Sequence, residues 1–148
     1  MDKAKLDNQL CFEVYRAANQ FTKLYTKVLQ PFQLTYPQYL VLLVLWDQDE
    51  QTSSSIGEKL GLGIGTLNPI LQKLLEKGWL TKKPSPTDRR AAILSLTEKA
   101  KQEERTIEEK IINTMFCFDY LAQHGPELKQ KVHELNEFLG IMNKGEQL

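Results

Sequence analysis

The stretch from Thr52 to Thr97, TSSSIGEKLGLGIGTLNPILQKLLEKGWLTKKPSPTDRRAAILSLT, leaves few folds open. Two short helical patterns flank a turn that carries Gly61, Gly63 and Gly65. Two runs rich in strand formers follow, Trp79–Lys83 and Ala92–Leu96, and between them PSPTDRR has the composition of a hairpin tip. Helix, turn, helix and basic-tipped hairpin is the order of a winged helix-turn-helix that reads duplex DNA. At 46 residues the stretch is too small to bury a core alone. The flanking chain must complete it.

The flanks are helical. Leu10, Val14, Ala17, Phe21, Leu24 and Val28 recur at three- and four-residue spacing, which predicts one amphipathic helix over Leu6–Leu29, ended by Pro31. Thr35 is the expected N-cap of the next helix, with Gln38 completing a capping box and Pro37 tolerated in the first turn. That helix runs to about Trp46 and is apolar nearly all round, so it belongs in the core. Asp47–Gln51 reads as a polar connector, and the serines 53–55 as caps for a helix over Ile56–Leu60. The second helix of the motif is expected over Thr66–Lys77, with Pro69 in its first turn and Gly78 at C′. Its apolar face leaves Ile64, Thr66, Asn68, Gln72 and Lys73 for the solvent or DNA side. Thr97–Glu98 caps a helix reaching about Ala122, Gly125-Pro126 breaks the chain, and a last helix runs to about Asn143.

The expected fold is therefore mainly α with a small β-wing, one domain over residues 1–148. Residues 35–97 form the winged helix-turn-helix lobe, and residues 6–34 and 98–143 are dimerisation helices. The terminal helices carry more apolar surface than the small lobe covers, so a homodimer is expected. Its two recognition helices would be spaced about one DNA turn apart.

Net charge is zero, but it is unevenly spread. Residues 72–92 hold six basic and two acidic side chains, where a recognition helix and wing would meet phosphates. No apolar run approaches a membrane span, and the charged N-terminus carries no secretory signal, so cytoplasmic residence is the default expectation.

Arg89 and Arg90 at the hairpin tip suit insertion into the minor groove, with Asp88 placed to hold an arginine by a bidentate pair. Cys11 has two readings, a small buried hydrophobe or a reactive thiol. Tyr15 lies one turn away, Tyr25, Tyr36 and Tyr39 are in nearby elements, and phenolic hydroxyls favour a thiolate. Cys117 could then resolve an oxidised Cys11. His124 and His133 lack partners with metal-ligand spacing, and neither serines 53–55 nor the glycines sit in a catalytic or dinucleotide-binding context. No cofactor, no metal and no catalytic residue is expected.

With these residues in view, the chain resembles the MarR family of dimeric winged-helix regulators over essentially its full length. Within that family it is similar to the branch that represses organic hydroperoxide resistance. The resemblance rests on NQLCFEVY (Asn8–Tyr15), LTYPQYLVLLVLW (Leu34–Trp46), IGEKLGL (Ile56–Leu62), GTLNPILQKLLEKG (Gly65–Gly78) and TDRRAAILSLTEKA (Thr87–Ala100). It implies that Cys11 senses peroxide, that Tyr25 and Tyr36 of the partner subunit hold its thiolate, and that Cys117 resolves it by an intersubunit disulfide. It also implies that Arg90, with Asp88, takes the place of the wing arginine and its supporting acid. Members often carry Asp-Ser before the recognition helix and Lys-Arg later in it. This chain has Gly63-Ile64 and Gln72-Lys73, which implies a different operator.

The expected protein is thus a transcription regulator of double-stranded operator DNA, a repressor released by oxidation of Cys11. The alternatives are a repressor controlled by a small phenolic ligand and, from another class, a thiol peroxidase using Cys11 and Cys117.

Overall fold

The computed structural model describes residues 9–117 and 119–145. In chain order it contains α1 (Leu10–Leu29), a 3-10 turn (Gln30–Phe32), α2 (Tyr36–Asp47), β1 (Gln51–Thr52), α3 (Ser53–Leu60), α4 (Ile64–Glu76), β2 (Leu80–Pro84), β3 (Ala92–Leu96), α5 (Glu98–Met115) and α6 (Asp119–Asn143). This is the winged-helix order, mainly α with one small sheet. The chain divides into two compact units, Met1–Lys110 and Ile111–Leu148.

In the first unit, local chemistry sets the element ends. The predicted capping box is present at Thr35: its hydroxyl accepts from the Gln38 N–H at 3.4 Å, and the Gln38 side chain accepts from the Thr35 N–H at 3.1 Å. α2 buries Tyr39, Val41, Leu42 and Leu45, as an all-round apolar helix must. Leu29, Ile56, Leu67, Leu74 and Trp79 pack into the same core. Gly57 brings α3 close to the turn, since a Cβ there would lie 2.9 Å from the Leu62 carbonyl oxygen. The helices α3 and α4 both end through a left-handed glycine. At Gly78 (φ 75°), the Trp79 N–H donates to the Leu74 carbonyl at 2.9 Å and the Gly78 N–H to that of Leu75 at 3.1 Å.

Four expectations need correction. The connector ends in a strand, because Gln51 and Thr52 pair antiparallel with Leu94 and Ile93 and make the sheet β1-β3-β2. A two-residue polar strand leaves no period-two signal. Gln51 is buried at no cost in unmet polarity: its amide donates to the carbonyls of Val44 and Gln48 and accepts from Ser55 Oγ. Second, α3 starts at Ser53 and its cap is Thr52, whose hydroxyl accepts from the Ser55 N–H, so the serines lie inside the helix.

Third, α4 begins at Ile64, which puts Pro69 at the sixth position rather than in the first turn. Pro69 has no N–H for the Gly65 carbonyl, and exposed Gly65 can give that carbonyl to solvent. Fourth, the helix expected to reach Ala122 stops at Met115, and Gly125-Pro126 does not break the chain. Instead α6 runs through Pro126, and Asp119 stands in its first turn, where a carboxylate complements the helix dipole. The exposed Ala122 carbonyl, denied the Pro126 N–H, faces water.

The second unit holds the end of α5 and all of α6. Leu128, Val132, Phe138, Leu139 and Met142 are exposed along α6. The first residues of the expected N-terminal helix, 6–8, lie outside the described residues.

Candidate nucleic-acid interface and thiol site

The recognition helix is α4. Ile64, Thr66, Asn68, Gln72 and Lys73 are all exposed, on the face opposite buried Leu67, Leu71 and Leu74. Gly63 caps the helix without a side chain, so its first N–H groups stay available to a phosphate oxygen. The C-terminal end is fixed: Lys77 Nζ donates to the Gln33 carbonyl at 2.6 Å and to Gln38 Oε1 at 3.1 Å, tying α4 to the start of α2. A groove beside α4 is lined by Ser53, Gly65, Asn68, Gln72 and Lys82 over an apolar floor of Leu71 and Leu94. Lys82 and Lys83 of β2 are exposed beside it, within the basic run of residues 72–92.

Glu76 was not foreseen. Its carboxylate accepts from Gln72 Nε2 at 3.4 Å and pairs with Lys73 Nζ at 3.3 Å, and these bonds from Gln72 and Lys73 hold it below the usual carboxylate range. It lies on one face with Gln72 and Lys73 because they are four and three residues apart in a helix. A carboxylate beside an exposed lysine opposes the approach of a phosphate to it. Glu76→Gln is therefore expected to tighten DNA binding about threefold and to steepen its salt dependence by about one phosphate equivalent. Fluorescence anisotropy across a salt series reads both.

At the wing tip Asp88, Arg89 and Arg90 are all exposed. The expected bidentate Asp88–arginine pair is not formed. Asp88 Oδ1 instead accepts from the Arg90 backbone N–H at 2.9 Å, and the Asp88 carbonyl accepts from the Ala91 N–H at 3.2 Å. An aspartate bonding its own backbone two residues on is the cheaper local solution in a tight turn. Ser85 Oγ accepts from the N–H groups of Thr87 and Asp88. The tip is shaped by Asp88 and Ser85, and both guanidinium groups are left to solvent.

Cys11 is exposed near the start of α1, with Sγ 3.5 Å from Gln9 Oε1. The reading of Cys11 as a buried small hydrophobe thus does not hold in the single chain. Tyr15, one turn on, is also exposed. Tyr25 and Tyr36 stack at 4.2 Å between ring centroids, and Tyr39 stacks on Tyr25 at 5.6 Å. Burial raises the pKa of both Tyr25 and Tyr36, and at Tyr25 the neighbouring Tyr36 adds to this. Tyr39 is pushed up to about 12, by burial first and then by Tyr25, Glu108 and Tyr36. All three stay protonated donors at neutral pH. Within one chain they do not meet Cys11, because Tyr25 is fourteen residues along α1 and so ~21 Å away along the helix axis. Cys117, in the second unit, is exposed and donates to the Thr114 carbonyl at 3.1 Å.

His124 lies against Tyr120 with the rings tilted and 4.8 Å between centroids, and no group of three or more His, Cys, Asp or Glu side chains among the described residues could hold a metal ion. No helix among the described residues is long and apolar enough to cross a membrane.

The model of the MarR family matches residues 34–92, from the start of α2 through the wing. The chain is 39% identical to the organic hydroperoxide resistance transcriptional regulator of Bacillus subtilis (strain 168) over 144 residues, 97% of this chain and 95% of that protein. The chain belongs to the MarR family. As a MarR-family protein it is a DNA-binding transcriptional regulator and not an enzyme, which removes the thiol-peroxidase alternative. Its structure is similar to that of reduced AbfR bound to DNA, with a TM-score of 0.83 and 36% identity over 93% of this chain and 94% of that one. It is also similar to disulfide-formed AbfR, with a TM-score of 0.66 and 38% identity over 88% and 91%. AbfR is a protein of Staphylococcus epidermidis.

Proposed function

We propose that this MarR-family regulator is a homodimeric repressor that leaves its operator when an organic hydroperoxide oxidises Cys11. The observation that carries the reading is the separation of an exposed thiol from a stacked pair of protonated tyrosines on the same chain. Only a second copy can bring Tyr25 and Tyr36 to Cys11. Exposed Leu10, Val14 and Phe21 on α1, like the exposed apolar residues of α6, give that copy surface to cover. The similarity to an organic hydroperoxide resistance regulator and to the reduced and disulfide-formed states of AbfR supports the same chemistry.

In the reduced dimer, the hydroxyls of Tyr25 and Tyr36 donate to the Cys11 thiolate of the partner subunit and favour its charged form. The thiolate attacks the terminal peroxide oxygen. The O–O bond breaks, the alkoxide leaves and takes up a proton to become the alcohol, and Cys11 becomes a sulfenic acid. The thiol of Cys117 from the other subunit then attacks the sulfenic sulfur. A disulfide forms and water leaves.

On the DNA side, Thr66, Asn68, Gln72 and Lys73 face the major groove with Ile64 at the helix entrance, and Arg89 and Arg90 reach the minor groove from a tip shaped by Asp88. Asn68 and Gln72 have the amide edge that pairs with adenine. With Gly63-Ile64 replacing a side-chain cap, the α4 entrance contributes backbone N–H groups rather than a side chain. Operator occupancy tests the reading. An alkyl hydroperoxide should release the DNA, and excess dithiothreitol should restore binding. Occupancy unchanged by peroxide would refute the redox reading.

A further inference from the structure

Two aromatic residues on α2 have no part in the chemistry above, yet they join its two ends. Tyr39 lies one turn after Tyr36, and Trp46 two turns after Tyr39, so all three share one side of the helix. The Tyr39 ring is stacked on Tyr25, and the Trp46 ring meets it edge-on at 6.2 Å between centroids. Trp46 Nε1 donates to the Ala100 carbonyl at 3.0 Å, in the first turn of α5.

From there the contacts run to the recognition helix. The Ala100 N–H donates to Thr97 Oγ1 at 3.2 Å, and that hydroxyl donates to the Gly78 carbonyl at 2.8 Å. The Thr97 N–H donates to the Trp79 carbonyl at 3.1 Å, and Gly78 and Trp79 close the end of α4. Every residue in this series lies in the first compact unit.

We propose that Tyr39 and Trp46 are positioning residues that carry the state of the Tyr25–Tyr36 pair to the end of the recognition helix, and so set how far oxidation weakens operator binding. The inference rests on the reading that this pair holds the Cys11 thiolate of the partner subunit. When the thiolate is consumed, the two hydroxyls lose their acceptor and the stacked rings are free to shift. Tyr39 is buried between Tyr25 and Trp46, and close-packed side chains pass on a displacement rather than absorb it. The Trp46 indole then moves the Ala100 carbonyl, and the Thr97 hydrogen bonds take the shift to α4.

The test uses full-length Trp46→Phe and Tyr39→Leu beside the wild type. For each, operator affinity is measured reduced and oxidised, Cys11 oxidation is followed by mass, and thermal unfolding is recorded. Trp46→Phe keeps an aromatic ring and removes only the N–H donor. It should oxidise at the wild-type rate and hold reduced-state affinity within about twofold. Its reduced-to-oxidised affinity ratio should fall at least about fivefold. Tyr39→Leu should lose the ratio in the same way, whereas a merely structural role would lower reduced-state affinity and melting temperature and leave the ratio alone. Wild-type ratios in both variants would overturn the relay while the redox reading stands. A wild type that keeps its operator with Cys11 oxidised would overturn both.

Discussion

The double variant Arg89→Ala, Arg90→Ala is expected to bind operator DNA about 100-fold more weakly at low salt. Both guanidinium groups are exposed, and neither has an ion-pair partner among the described residues. Removing them therefore costs the fold little, and the melting temperature should hold. The loss falls on binding. On the proposed reading each arginine neutralises a phosphate or enters the negative potential of the minor groove, worth about tenfold apiece, and the slope of log K against log salt should become shallower by about two. Asp88→Ala acts differently. It removes the acceptor of the Arg90 N–H at 2.9 Å and loosens the tip while leaving both guanidinium charges in place. About a threefold loss with no shallowing of the salt slope is expected, and anisotropy titrations at several salt concentrations separate the two effects.

The second large effect concerns the switch. Cys11→Ser should bind operator as the wild type does and ignore peroxide altogether. Serine is nearly isosteric, and on the proposed reading its hydroxyl can still accept from the tyrosines of the partner subunit. A hydroxyl, however, does not ionise near neutral pH and cannot attack the peroxide oxygen. Cys117→Ser should behave otherwise, because Cys11 can still reach the sulfenic acid but lacks a resolving thiol. That variant should still release DNA while forming no covalent dimer on a non-reducing gel. A Cys11→Ser protein that releases DNA on peroxide treatment would transfer the sensing role elsewhere, to Cys117 or to a methionine.

Where the sequence was legible, a strong local signal agreed with the tertiary fold. The Thr35–Gln38 capping box, the left-handed Gly78 and the wing strand Ala92–Leu96 all follow from residue type and spacing, and the structure has them. Where reading failed, local rules gave way to context. Gln51–Thr52 became a strand because the β3 edge supplies Leu94 and Ile93 as partners from distant sequence, with the Leu96 N–H on Asp49 Oδ1 at 2.9 Å holding the connector beside that edge. Pro69 and Pro126 lie inside helices because exposed carbonyls one turn before them can be solvated, a cost no periodicity reveals. At the site, the outward positions on α4 were readable from its apolar face. Glu76 was not singled out, although its three- and four-residue spacing from Lys73 and Gln72 was there to be used. Asp88 was assigned the wrong partner, because the choice between a guanidinium and a backbone N–H depends on turn geometry that composition does not carry.

The central claim is that the thiol of one subunit is held by the tyrosines of the other and that its oxidation frees the operator. Subunit mixing tests it most directly. Cys11→Ser homodimers have tyrosines but no sensing thiol, and Tyr25→Phe, Tyr36→Phe homodimers have the thiol but neither hydroxyl. In a mixed dimer, one Cys11 faces one intact tyrosine pair. Neither parent should release DNA at a low peroxide dose, and mixing after brief denaturation and refolding should restore peroxide-dependent release to the mixed species. If the mixed dimer stays as insensitive as its parents, while wild type treated in the same way responds, the intersubunit thiol site is contradicted.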